Sequence, residues 1–392
     1  MGEEVVQSTV SDEDIDGFDV VEDLSGHAEA IKPWDPGKIR ITTKSFTLRE
    51  VVGQIEDNDI DLSPDFQREY VWKDRQRTRL IESILLGIPL PAFYFNQSES
   101  GRYQVVDGVQ RLTTIALFMQ NKHRLSAAHL EYLFDLDGRL YDQLDTAAIR
   151  RFRSAQIVVH IIEPQTPDEI KYDIFNRVNT LGSPLSGQEI RHAMSAIRSR
   201  EFIQNLAESE AFDAATEYHY WKKTPSGEMV RDSGRMANRE LALRFCAFRN
   251  SSIEQYRQFA SLDAFLMNFT KRIDGTVEPV ISDQELADLK GAFLRAMVAA
   301  KEVLGSAAFR RWPLGADRRG PINRAVFEAH ANALANHPLD AMLDRREEIV
   351  TGLRASFLEQ DYLRAVTVST GDPNRVSYRL ERTRDILADA LK

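Results

Sequence analysis

Apolar residues recur with two periods along this chain. Short alternating runs and amphipathic stripes fill the stretch up to about residue 195, and helical stripes follow almost throughout. Lys38-Ile39-Arg40-Ile41-Thr42 alternates and predicts a strand. Thr47-x-x-Glu50 is a capping box in front of a helix with Leu48, Val51, Val52 and Ile55 on its apolar side. A loop is expected over 65–72. Asp74 is the expected cap of a second helix, with stripe Leu80, Ile81, Ile84 and Leu85, and Gly87-Ile88-Pro89-Leu90-Pro91 stops it. Strands are expected over 92–96, 104–106 and 156–162. A helix after Asp107-Gly108 packs through Leu112, Ile115, Ala116 and Met119. Thr166-Pro167-x-Glu169 and Ser186-x-x-Glu189 open two more helices. Loops are expected near 222–234, 274–282 and 312–321, and no repeat period is evident. The pattern predicts an α/β N-terminal domain over 38–195 and a mostly α-helical domain over 196–392.

Composition changes this picture at one end. The 392 residues are 43% hydrophobic and 28% charged, an ordinary globular balance. The formal net charge of −10 comes from residues 1–31, which hold ten acids and no Lys or Arg; the rest has 50 of each sign. Residues 1–37 therefore read as an acidic disordered tail, or as a mimic that fills a basic groove. The neutral body leaves a nucleotide or nucleic-acid partner open. No apolar run approaches the 18 or so residues of a membrane span, and no membrane partner is expected. The single cysteine, Cys246, lies in an apolar helical run and reads as core. With no export signal, these features point to the cytoplasm.

The candidate chemistry concentrates where strands end and helices begin. Val105-Val106-Asp107-Gly108-Val109-Gln110-Arg111-Leu112-Thr113-Thr114 reads as a buried strand, a tight turn and a helix start. Asp107-x-x-Gln110 matches a helix cap. Arg111 sits where the helix dipole disfavours positive charge, and a phosphate in front of it would account for it. Gln67-Arg68, Asn176-Arg177 with Asn179, and Glu189 with Arg191 are further polar clusters at element ends. Each has a plain reading as cap or surface pair, but together their arginines suggest convergence on one anion. Lys73, Arg75, Arg77 and Arg79 mark either a solvated face or a nucleic-acid face. There is no G-x-x-x-x-G-K-[ST] loop, no G-x-S-x-G elbow and no H-E-x-x-H zinc site. Arg324 and His330 have a spacing seen in some ribonuclease sites. Six residues apart on one helix, however, they point about 240° from each other.

Taken together, several ordered motifs carry a resemblance. They are Gln67-Arg68-x-Tyr70-x-Trp72, Leu80-Ile81-x-Ser83-Ile84-Leu85-x-Gly87-x-Pro89-x-Pro91, Val106 to Thr114, Phe175-Asn176-Arg177-Val178-Asn179, and Pro184-Leu185-Ser186-x-Gln188-Glu189-Ile190-Arg191. In these the chain resembles the N-terminal domain of GmrSD-type modification-dependent restriction enzymes, which also occurs in the nuclease of the Ssp phosphorothioate-sensing system. The resemblance is strong over about 40–195. Arg235-Met236 through Phe248 is similar to that family's helical region as well.

The resemblance implies a ParB/sulfiredoxin-like fold. It also implies an Asp-Gly-Gln-Gln-Arg signature that binds and hydrolyses a nucleoside triphosphate (GTP, ATP or CTP) with Mg²⁺. Carried over, Asp107, Gln110 and Arg111 are the catalytic candidates, with Asp107 on the metal. Gln67, Arg68, Gly108, Thr113, Asn176, Arg177, Asn179 and Arg191 complete the nucleotide pocket. Val109 stands where the signature has glutamine, which puts hydrolysis in more doubt than binding. The family's nuclease motif is missing after residue 195, so the resemblance implies a sensor or regulatory subunit of a prokaryotic defence system whose nuclease is a separate protein. Two other readings stay open: a ParB-like DNA-binding module without hydrolysis, and an antitoxin-like interaction subunit. A homodimer is compatible with each.

Overall fold

The computed structural model describes residues 36–62, 72–179, 186–224, 227–232 and 235–392. These fall into two units, one within Pro33–Met194 and one within Ser195–Lys392. The acidic stretch up to residue 35, the segment 63–71 with Gln67 and Arg68, and the segment 180–185 lie outside the described residues.

The first unit is built on a five-stranded mixed sheet. Its strands are β1 (Ile41–Thr47), β2 (Ile60–Asp61), β3 (Phe93–Gln97), β4 (Tyr103–Asp107) and β5 (Gln156–Ile162), in the order β1-β5-β3-β4-β2. β1 and β5 pair antiparallel, β5 and β3 parallel, β3 and β4 antiparallel, and β4 and β2 parallel. The helices are α1 (Leu48–Glu56), α2 (Asp74–Leu86), α3 (Val109–Met119), α4 (Thr146–Ser154), α5 (Asp168–Asn179) and α6 (Gly187–Ala193).

Side-chain alternation assigns the two faces of this sheet. Phe93, Phe95, Val105, Ile157, Val159 and Ile161 turn one way, into a core with α1, α2, α3 and Phe152 of α4. Each such buried aromatic or branched side chain contributes roughly 1.5–3 kcal/mol of transfer free energy. Val106 and Ile162 turn the other way, onto Phe175 of α5 and Ile190 of α6.

The structure moves several expected boundaries. β1 begins at Ile41 rather than Lys38, because its register with β5 runs from Ile41 opposite Ile162 to Thr47 opposite Gln156. Alternation gives a period but not a partner. Thr47 caps α1 as expected, accepting the Glu50 N–H at 3.2 Å. Lys73, not Asp74, is the N-cap of α2; Asp74 is already helical, and the Gln76 side chain accepts the Lys73 N–H. α5 begins at Asp168, two residues beyond the expected cap Thr166. The Thr166 hydroxyl bonds the backbone of Arg40, accepting at 3.1 Å and donating at 3.0 Å, so it ties β1 to the end of β5. Ser186 and Glu189 form the predicted capping box.

The second unit is helical from Ile197–Ala207 to Pro373–Ala390. The expected loop at 222–234 contains a short hairpin, Trp221–Lys223 with Met229–Arg231. Cys246 is fully buried, and burial pushes its thiol pKa up. A buried ionic chain staples three helices. Arg244 donates to Glu240 at 2.7 Å and lies 3.7 Å from Glu328, which also takes Arg379 Nε at 2.7 Å. His330 is 2% exposed, and burial drives its pKa down to about 3, so it stays neutral. Arg324 points elsewhere, with Nε 3.7 Å from Glu240. That excludes the ribonuclease-like pair. Among the described residues, no helix is long and apolar enough to cross a membrane.

Candidate functional site

The site is shaped by an irregularity in the sheet. Phe95 opposes Val105, but Tyr94 opposes Asp107, so Val106 is an extra residue on β4. A bulge of this kind re-aims the side chain that follows it. Here it delivers Asp107 to the start of α3. Gly108 then caps the helix at φ +101°, a conformation that disfavours side chains. A Cβ at this position would lie 2.2 Å from Cδ1 of the buried Phe93 ring. Glycine is thus required for both conformation and space.

The predicted Asp107-to-Gln110 cap is not formed. Among the described residues no side chain caps α3, so its first amides are left without a side-chain acceptor there. Asp107 instead takes Nη2 of Arg111 through Oδ2 at 2.7 Å, one helical turn on. Its Oδ1 accepts no hydrogen bond among the described residues, and the side chain is 35% exposed. Gln110 is half-buried, with its Oε1 enclosed and without a hydrogen-bond partner among the described residues. Thr113 is half-buried on the same turn, and Thr114 donates to the Gln110 carbonyl at 2.7 Å.

Arg111 departs most from the sequence expectation. Its side chain is 13% exposed and turned into the protein. Nη1 donates to the Pro91 carbonyl at 2.5 Å, Nη2 to the Ala92 carbonyl at 3.2 Å, and the guanidinium stacks 4.1 Å from the centre of the Phe93 ring. Burial lowers its pKa, against the opposing pull of the Asp107 carboxylate. An arginine titrates so high that it stays charged regardless. Arg111 therefore clasps three segments: the approach to β3, the end of β4 and the start of α3. A phosphate is not needed to explain a positive charge at this helix start, because Asp107 neutralises it.

The structure brings Asp107, Gly108, Gln110 and Arg111 into one turn. Arg191, on α6, is 1% exposed, with Nε donating to Gln188 Oε1 at 2.9 Å. Arg177 is exposed on α5, close enough to Asp173 to act on its carboxyl pKa, which burial raises. Asn176 and Asn179 belong to the same helix, but their side chains lie outside the described residues. Through Val106, Phe175 and Ile190, α5 and α6 stand against β4 on the face opposite α3. The sequence reading missed Pro91, Ala92 and Phe93 as parts of the site. Its only signal was Pro89-x-Pro91, read there as a helix stop.

Comparison with known proteins gives a domain for this part of the chain. Residues 48–195 match the family model of the GmrSD restriction endonuclease, N-terminal domain. Among solved structures, the structure of the C2221 form of Pnob8-like ParB-N domain is similar at 11% identity, covering 90% of this chain and 99% of that chain. The TM-score is 0.22. No curated protein matches the chain. The helical unit beyond residue 195 lies outside the family match. Strands β2 to β5, the flanking helices and the clasped Asp107–Arg111 turn fall within that match, with β1 just ahead of it, and residues 48–195 are similar to a GmrSD-type N-terminal domain.

Proposed function

We propose that the β4–α3 turn binds a nucleoside triphosphate, and that the chain is the nucleotide-responsive regulatory subunit of a restriction-type system. The observation that carries this reading is the start of α3: an eleven-residue helix with no side-chain cap, opening on a glycine turn beside a half-exposed carboxylate. Free amides and the helix dipole at such a place favour phosphate oxygens. The enclosed Gln110 Oε1 has no donor among the described residues and is suited to a ligand hydroxyl or amino group.

The residues also fit a magnesium ion. Among the described residues, no three His, Cys, Asp or Glu side chains group into a metal site. Mg²⁺ usually needs only one or two carboxylates beside phosphate oxygens and water. Asp107 would supply one oxygen while Arg111 fixes the other. When bound, the ion would supply neutralisation of phosphate charge. Arg111 is then a positioning residue: it aims Asp107 and holds the amides, but does not itself grip phosphate. Hydrolysis is a separate step, and Val109 offers no amide to orient water.

A thermal-shift screen with ATP, GTP, CTP and UTP, with and without Mg²⁺, tests this. Binding to the folded state raises its apparent stability, by about 2.7 kcal/mol at a hundred times Kd. One base should stabilise the wild type, and Asp107→Asn should remove the Mg²⁺ dependence. No shift with any nucleotide at millimolar concentration would overturn the reading.

A further inference from the structure

A surface beside the phosphate turn has no role yet. The sheet register sets Asp107 opposite Tyr94, Tyr94 beside His160, and His160 opposite Thr43, in one row across β4, β3, β5 and β1. Paired residues on neighbouring strands turn to the same face. On this face Val106 and Ile162 meet α5 and α6, and Tyr94 packs against the edge of their cluster. Among the described residues, that cover ends at this row. Val158, two residues before His160 and so on the same face, is 42% exposed. Thr43 and Ser45, its neighbours on β1, are exposed as well. An open shelf therefore runs sideways along the sheet from the phosphate turn.

Two rings form the inner part of the shelf. Tyr94 and His160 are half-buried, with centroids 4.9 Å apart and planes at 44°. Thr43 Oγ1 lies 2.9 Å from His160 Nδ1 and fixes the imidazole. Neither His160 Nε2 nor the Tyr94 hydroxyl has a hydrogen-bond partner among the described residues. Tyr94, Val158, Thr43 and Ser45 are uncharged, so the shelf suits a neutral group. A protein partner needs about 800 Å² on each side, far more than two half-buried rings and one valine present. A heteroaromatic ring asks for less: a ring face to stack on and a few polar atoms at its edge. Strands lie about 4.8 Å apart, so His160 stands about 10 Å from Asp107 across two spacings. A ribose and its first phosphate bridge a gap of that order.

We infer that the Tyr94–His160 shelf is the subsite for the nucleobase of the triphosphate whose phosphates meet the start of α3. The two rings stack on the base, and His160 Nε2 and the Tyr94 hydroxyl are left for its polar edge and the ribose. Thr43 is a positioning residue that holds the imidazole. The inference rests on the phosphate reading above, and its test separates the two.

Inorganic tripolyphosphate is the dividing probe, because it has the phosphates of ATP, GTP, CTP and UTP without a base. Each of the five is titrated calorimetrically into the full chain with Mg²⁺. Wild type should bind tripolyphosphate, and at least one of the four nucleotides roughly tenfold more tightly. His160→Ala should lose that advantage and keep the wild-type affinity for tripolyphosphate. His160→Phe keeps a ring and should retain most of it. Thr43→Val should weaken the nucleotide alone, and gives the same comparison if His160→Ala fails to fold. The shelf is overturned, with the phosphate reading intact, if wild type binds tripolyphosphate as tightly as every nucleotide. The same holds if His160→Ala binds the nucleotide as wild type does, or weakens both ligands alike. If wild type binds neither tripolyphosphate nor any nucleotide, both readings fall.

Discussion

Replacing Arg111 with alanine separates a clasp from a free phosphate ligand, because the two differ in the protein without nucleotide. The substitution removes the Asp107 ion pair, the bond to the Ala92 carbonyl, and the stacking on Phe93. A hydrogen bond between charged groups contributes about 1.5–3 kcal/mol. The lower end applies here, since Asp107 is 35% exposed and regains water. The half-buried carbonyl bond and the cation–π contact are worth about 1 kcal/mol each. Water replaces the bond to the exposed Pro91 carbonyl. The expected loss is about 3 kcal/mol. For a unit of this size, that lowers the melting temperature by roughly 6–12 °C. Arg111→Lys keeps the charge but not the fork, and should lose about half as much. Calorimetric unfolding of the nucleotide-free protein reads both values. A double-mutant cycle with Asp107→Asn should give a coupling of about 1–2 kcal/mol. A transition within about 1 °C of wild type for Arg111→Ala would refute the clasp, and would return the guanidinium to the role of a waiting phosphate ligand.

Two other substitutions probe the same unit. Gly108→Ala combines a φ of +101° with a Cβ 2.2 Å from a fully buried ring, and should destabilise by about 3 kcal/mol or more; a soluble variant with a wild-type melting curve would contradict this. Burial alone would raise the Glu82 pKa, but three backbone N–H groups and Arg79 together hold it below the usual glutamate value. A carboxylate depressed on folding stabilises above its unfolded pKa, and the gain is lost as pH falls through the folded one. Glu82→Gln should therefore cost stability at pH 7 and progressively less below about pH 4.5. Urea midpoints at several pH values check it, and a gap that stays constant with pH would count against it.

The periodic elements of the N-terminal unit were legible because burial writes itself into spacing. Phe93 and Phe95, or Ile157, Val159 and Ile161, can be assigned to one face without coordinates. Partners were not legible. Thr166 has the right spacing for a cap, yet its hydroxyl serves Arg40, 126 residues away. The Asp107–Gln110 spacing is equally regular, but a bulge at Val106 turns Asp107 toward Arg111. The sequence thus located the turn and the residue types in it, while the long-range contacts decided what each residue does there. Glu82 shows the same limit. A buried acid in a helix stripe signals a satisfied charge, but not that its donors lie about fifty residues on.

The account rests on the open amides at the start of α3. Hydrogen–deuterium exchange over a peptide covering residues 107–112 measures them directly, with the nucleotide selected by thermal shift and Mg²⁺ present. The account predicts that exchange there slows by tenfold or more on binding and returns when the nucleotide is dialysed away. A nucleotide that binds and protects some other segment while 107–112 exchanges as before would contradict it.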